Sequence, residues 1–168
     1  NGVMDINWSY KNKSRVFDTK ENGGVPYLSF KALDDTGLAV NGFSTRMGGA
    51  SRGKFSTMNF SYSRGDAAED VLENFTRMAA ALGVERDRMV VSHQTHTVNL
   101  RRVTLEDAGK GVIRERDYRD IDGLITDVPG LTLVTFYADC VPLYLLDPVN
   151  RAIGLSHSGW RGTVKRMG

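Results

Sequence analysis

The residues of this chain best suited to metal or nucleophilic chemistry are its one cysteine, Cys140, and its three histidines, His93, His96 and His157. Cys140 stands in Ala138-Asp139-Cys140-Val141-Pro142, and His157 in Ser156-His157-Ser158-Gly159-Trp160-Arg161-Gly162. His93 and His96 share the polar stretch Ser92-His93-Gln94-Thr95-His96-Thr97. A thiolate with two neutral imidazoles forms a tetrahedral three-ligand set suited to zinc, with the fourth position left to water or substrate. The same softness admits copper. Zinc held this way lowers the pKa of bound water to about 7 and so supplies a nucleophile at neutral pH. Two other readings stay open. Cys140 could be a nucleophile served by His157 or His96 as base, with Asp139 or Asp122 orienting the imidazole. Alternatively, Cys140 is an inert core thiol and the histidines are ordinary hydrogen-bonded side chains.

The elements around these residues give them a common place. Tyr144-Leu145-Leu146 and Ala152 to Leu155 are short apolar runs flanking a turn at Asp147-Pro148-Val149-Asn150, which predicts two joined strands. Cys140 is expected just before the first strand and His157 just after the second. An antiparallel pair brings those outer ends together. Beyond them, Trp160-Arg161-Gly162 opens what reads as a helix, where Arg161 could bind a phosphate or carboxylate with help from the helix dipole. Trp160 fits either a stacking platform or a buried core position.

The rest of the chain reads as scaffold. Asn1 to Gly24 is polar and irregular, an arm or a loosely paired edge with turns at Asn-Gly and Gly-Gly. Val25 to Phe30 and Leu38 to Phe43 flank Asp34-Asp35-Thr36-Gly37 and predict a hairpin. Ser44 to Gly53 is glycine-rich and carries Arg46 and Arg52, so it could present N–H groups and guanidinium to an anion, although its spacing is neither a Walker loop nor a dinucleotide fingerprint. A plain surface turn is the simpler reading of that loop. Asp66 to Leu82 is the clearest helix, with Asp66 as N-cap, Glu69 completing a capping box and Gly83 as the stop. Met89 to Val91, Val98 to Val103, Leu124 to Thr126 and Leu131 to Ala138 are strand-like, and the charged run Glu106 to Asp120 is expected to be an exposed loop or short helix. Strands outnumber helices without strict alternation, which favours a mixed α/β (α+β) layered domain over a doubly wound parallel sheet.

With 168 residues there is enough chain for one domain with a real core, and residues 1–168 are taken as that domain. A net charge of +2 argues against a nucleic-acid or membrane surface, and no apolar run reaches membrane-spanning length. One cysteine makes no internal disulfide, so a soluble, cytoplasmic protein is the default. The chain starts at Asn1 and stops just after a helix begins, which suggests a fragment.

Several motifs, in order, resemble one family. They are Phe43-Ser44-Thr45-Arg46 with Gly48-Gly49, Met58-Asn59-Phe60, Gly65-Asp66, Glu73-Asn74, Gln94-Thr95-His96, Asp122-Gly123, Ala138-Asp139-Cys140-Val141-Pro142 and His157-Ser158-Gly159-Trp160-Arg161-Gly162. From about Asn41 onward the chain is similar to the family long labelled multicopper polyphenol oxidase or laccase-like, also called peptidoglycan editing factor. Its members are described as purine nucleoside phosphorylases with adenosine deaminase side activity. The resemblance implies that His96, Cys140 and His157 are both metal ligands and catalytic residues, and that His93 is an outer or surface residue. It implies Arg46, Asn59 and Arg161 as substrate-binding, with purine nucleosides and phosphate as partners and no nucleic acid or membrane; a homodimer stays open as an assembly. It further implies a layered α/β sandwich like that of the cytotoxic necrotizing factor-type cysteine hydrolases, which keeps a Cys–His hydrolase or amidase acting on cell-wall fragments in view. A non-catalytic metal-binding module is the alternative from another class. A multicopper oxidase is harder to support, because such sites need many histidines and this chain has three. Tyr137 stands where the family usually has threonine, and Ser158 where alanine is common.

Overall fold

The computed structural model describes residues 8, 9, 11, 13–159 and 164. It is a mixed α/β structure with three sheets and few helices. The chain forms two compact units, Asn1–Gly83 and Val84–Gly168.

The first unit is built on a hairpin. Strands β1 (Phe17–Asn22) and β2 (Val25–Phe30) pair antiparallel along their whole length, from Phe17 opposite Phe30 to Asn22 opposite Val25. The connecting Gly23 and Gly24 both have positive φ, +58° and +77°, which is what a tight two-residue hairpin turn requires. The expected arm or loosely paired edge therefore contains a fully paired strand. The hairpin expected between residues 25–30 and 38–43 is shorter than its apolar pattern suggests. A helical turn, α1 (Lys31–Asp34), follows β2 directly, and β3 is only Phe43–Ser44. The Asn41 side chain accepts the Phe30 N–H at 2.7 Å, so that donor is lost to a longer ladder and Leu38 and Val40 face solvent.

Helix α2 (Ala68–Leu82) buries Val71, Phe75, Met78 and Ala79 along one face, and Gly83 ends it in the left-handed conformation. Its N-cap is Ala67, with no side-chain cap bond, rather than Asp66. The Asp66 carboxylate is used differently: it accepts from Ser51, Asn59 and the Ala67 N–H. Val25, Tyr27, Met58, Met78 and Ala81 form this unit's core.

The second unit holds two sheets. Strand β4 (Met89–Val91) runs parallel to β7 (Thr132–Val134). A four-stranded sheet joins β5 (Leu100–Arg102), β6 (Gly123–Thr126), β8 (Val141–Asp147) and β9 (Ala152–Ser158) in the order β5-β6-β9-β8. Its core is Val90, Val103, Tyr118, Leu124, Leu131 and Leu133, with Ile153 and Leu155 packed against it. The charged run before β6, expected as an exposed loop or short helix, opens on a short helical turn at Leu105–Asp107 but is not all exposed, because Asp107 and Lys110 are buried. Asp107 accepts from Lys110 at 2.7 Å, Arg101 at 3.0 Å and the Thr104 N–H at 3.0 Å, while the Tyr118 hydroxyl donates to the Val91 carbonyl. Polar groups paired this closely can be buried at tolerable cost.

Candidate metal and active site

The β8–β9 hairpin does what the sequence predicts. Asp147 accepts the N–H groups of Val149 and Asn150, closing the turn, and the register runs from Asp147 opposite Ala152 to Val141 opposite Ser158. Cys140 precedes β8 directly. His157 lies inside β9 rather than after it, because the strand continues to Ser158 against β6 and β8. Pro142 sits opposite His157 and is tolerated there because β8 is the last strand of the four-stranded order.

His96 reaches the same place from the loop after β4. Gln94 fixes that loop: its carbonyl oxygen accepts the Phe136 N–H at 2.7 Å, and its amide donates to the Phe136 carbonyl at 2.6 Å. The glutamine two residues before the histidine thus staples the loop to the segment leading to Cys140. In the sequence this glutamine carries no signal of that role beyond its place in Gln94-Thr95-His96.

One ligand atom from each of His96, Cys140 and His157 lies within 4.8 Å of the others. The Cys140 Sγ and His96 Nε2 are 3.9 Å apart. Tetrahedral zinc with Zn–S of about 2.3 Å and Zn–N of about 2.0–2.1 Å needs ligand separations of roughly 3.4–3.6 Å. The Cys140–His96 pair would have to contract by a few tenths of an ångström and a pair at the 4.8 Å limit by about 1 Å to hold the ion, and the donor set is the one zinc or copper takes. The two imidazoles meet edge-on with centroids 5.0 Å apart, and the Tyr137 ring lies 5.7 Å from His157. Among the described residues His157 is buried, Cys140 half-buried and His96 exposed. Gly159 completes the cluster by being small. A Cβ there would stand 3.1 Å from the Cys140 Sγ and 3.2 Å from His96 Cδ2.

Asp122 lies beneath the two histidines, fully buried. Its Oδ2 is 2.9 Å from His157 Nδ1, which makes it, and not Asp139, the carboxylate that meets an imidazole. Asp139 is exposed beside Cys140. Burial alone would raise the Asp122 carboxyl. The N–H groups of Thr95 and Thr97, His157 and the Thr97 hydroxyl outweigh it and hold the group below its ordinary value.

His93 stands apart from the cluster. Its Nδ1 accepts the Asp120 N–H at 3.2 Å, and its backbone bridges to Ile121. Arg46 and Asn59 belong to the first unit. The Arg46 guanidinium is exposed and donates to the Ser56 carbonyl, while the Asn59 amide donates to Asp66 at 2.9 Å. Four amides of the glycine-rich loop are taken up by neighbouring groups of the first unit. Met47 donates to Thr45, Gly49 to Thr57, Ala50 to Asn74 and Ser51 to the Thr57 carbonyl. Trp160 and Arg161 lie outside the described residues.

The chain has relatives of known family. The model of the family described as "Multi-copper polyphenol oxidoreductase laccase" matches residues 40–168, and the chain belongs to that family. The chain is 39% identical over 130 residues to the purine nucleoside phosphorylase YlmD of Geobacillus stearothermophilus, a match covering 75% of this chain and 46% of that one. It is 39% identical over 132 residues to a purine nucleoside phosphorylase of Deinococcus radiodurans, covering 78% and 48%. The crystal structure of YlmD from Geobacillus stearothermophilus superposes with a TM-score of 0.79 at 35% identity, covering 90% of this chain and 55% of that one. The chain spans about half the length of the curated relatives it matches.

Proposed function

We propose that this chain carries the metal-binding and catalytic trio of a purine nucleoside phosphorylase, acting on adenosine, inosine or methylthioadenosine and also deaminating adenosine. The observation that carries this reading is the convergence of His96, Cys140 and His157 within 4.8 Å on a chain similar to curated purine nucleoside phosphorylases. His96 Nε2, Cys140 Sγ and the His157 nitrogen facing them would hold zinc, with copper as the alternative metal. Such an ion supplies Lewis acidity to an oxygen of substrate or water.

In phosphorolysis, Arg46 and Arg161 bind phosphate by charge-assisted hydrogen bonds and Asn59 contacts the nucleoside. A phosphate oxygen bonds to the ribose anomeric carbon, and the purine leaves with the electron pair of the glycosidic bond and takes up a proton. In deamination, water adds at C6 of adenine and ammonia departs, with a carboxylate moving the proton; Asp139 is the carboxylate nearest in sequence to Cys140. Residues 1–168 are read as one domain, the N-terminal part of a longer family domain with the layered sandwich of cytotoxic necrotizing factor-type hydrolases. No helix among the described residues is long and apolar enough to cross a membrane. A thiol kept reduced at the centre suits the cytoplasm.

The test is metal content of the purified protein alongside release of free base from inosine or adenosine in phosphate buffer. Cys140→Ala and His157→Ala are compared with the wild type. Near-stoichiometric zinc that is lost in both variants, together with phosphate-dependent base release that both abolish, is the expected result. Turnover retained by Cys140→Ala overturns a shared site, and bound metal without turnover on any nucleoside favours a binding module. One observation favours a second reading: the 3.9 Å approach of Cys140 Sγ to His96 Nε2 also suits a Cys–His hydrolase or amidase. Activity that persists in metal-free protein and disappears on thiol alkylation would select it.

A further inference from the structure

We infer that Asp122 is the positioning residue of the metal centre, fixing both of its histidines with one carboxylate. This rests on the metal reading of the trio given above. The side chain receives five donors. Oδ1 accepts the N–H groups of Thr95 at 2.9 Å and Thr97 at 3.0 Å and the Thr97 hydroxyl at 3.1 Å. Oδ2 accepts the His96 N–H at 2.9 Å and meets His157 Nδ1 at 2.9 Å. The Asp122 carbonyl also accepts the His157 backbone N–H at 2.7 Å.

Three successive amides converging on one anion make a nest, and here the chain fills it with its own carboxylate. The nest explains an otherwise unfavourable backbone. His96 has φ +65°, in the left-handed region where a residue with a Cβ is disfavoured, and in that conformation its N–H donates to Oδ2. On the other side, an ionised carboxylate only accepts, so His157 Nδ1 carries the hydrogen. That leaves Nε2 with its lone pair free for the ion, the tautomer that an outer carboxylate imposes on a metal-ligating histidine. A single buried group therefore sets the backbone of one ligand and the tautomer of the other. Asp120 supports the same loop by accepting the Thr95 hydroxyl at 2.8 Å.

Asp122→Asn tests this at almost constant volume. Its oxygen belongs at the Oδ1 position, where three donors converge, which puts the NH2 group at Oδ2 facing His96 N–H and His157. Two donors then confront each other at His96, and His157 Nδ1 becomes the acceptor, moving the hydrogen to Nε2. The readout is the long-range ¹H–¹⁵N spectrum of histidine-labelled, metal-free protein, followed by zinc titration against a chromophoric chelator. In the wild type His157 is expected as the Nδ1–H tautomer. In Asp122→Asn it inverts, and zinc affinity falls 10–100-fold. Thr97→Val removes one donor and leaves His157 untouched, so it keeps the tautomer and loses less affinity than Asp122→Asn.

The inference is overturned if Asp122→Asn keeps the Nδ1–H tautomer or binds zinc within twofold of the wild type. If Asp122→Asn does not fold, the wild-type spectrum and Thr97→Val decide: an Nε2–H tautomer of His157 in the wild type, or an inverted tautomer in Thr97→Val, overturns it. A wild type that binds no zinc refutes the metal reading instead, while the metal-free spectrum still judges Asp122.

Discussion

Gly159→Ala isolates the geometry of the cluster from its chemistry. The φ of Gly159 lies outside the left-handed region, so alanine meets no backbone penalty, and what it meets is the site itself. The new Cβ would stand 3.1 Å from the Cys140 Sγ and 3.2 Å from His96 Cδ2, closer than the 3.4 Å at which ordinary contacts begin. Each neighbour must yield by a few tenths of an ångström. The sulfur and the imidazole are already 3.9 Å apart, wider than an ion closing the site requires, so the displacement works against contraction. A ligand set needs about 0.5 Å precision, and a displacement using up much of that should weaken zinc binding about tenfold, or about 1.4 kcal/mol. The metal-free protein, which has no need to contract, should lose much less stability. The assay is zinc titration against a competing chelator together with urea unfolding of the metal-free form. Unchanged affinity refutes the reasoning, and so does an affinity loss matched by an equal loss of metal-free stability.

The remaining predictions concern the scaffold of the second unit. Lys110→Met leaves the buried Asp107 with Arg101 and the Thr104 amide but without its closest cation, so stability should fall by about 2–4 kcal/mol; a urea-unfolding loss under about 1 kcal/mol would show the charge network to be dispensable. Burial pushes the phenols of Tyr118 and Tyr137 up to about 12, whereas an unfolded tyrosine ionises near 10. Above about pH 10 the unfolded chain therefore holds fewer protons than the native one, so this stability is intact below that pH and is lost as pH rises toward 12. Urea midpoints should fall between about pH 9 and about pH 11, and phenolate absorbance appearing in folded protein near pH 10 would contradict the burial argument.

What the sequence made legible was the hairpin and its ends. Two apolar runs around Asp147-Pro148 placed Cys140 and His157 together, and the paired strands do so. Local pattern failed where a distant side chain decided the outcome. Asn41 takes the amide that a longer β3 would need, and Asp66 serves Ser51 and Asn59 instead of capping α2. The run Glu106 to Asp120 looked solvated because charge usually is. Pairing across Asp107, Lys110, Asp117 and Arg101 is what lets part of it go inside, and composition carries no record of pairing. The sequence offered Asp122 and Asp139 equally as orienting groups. Only the fold, by carrying β6 alongside β9, separates the buried one from the exposed one.

The family description speaks of several coppers, and the histidines of this chain argue for a smaller site. Imidazole and thiolate are the donors copper takes in electron-transfer and oxidase centres. All three histidines and the single cysteine are among the described residues. Two of the imidazoles join the thiol, and the third, His93, has its Nδ1 committed to the Asp120 amide. The chain's thiol and two of its three imidazoles are thereby gathered at one three-ligand position. The buried Asp122 and the small Gly159 border that position.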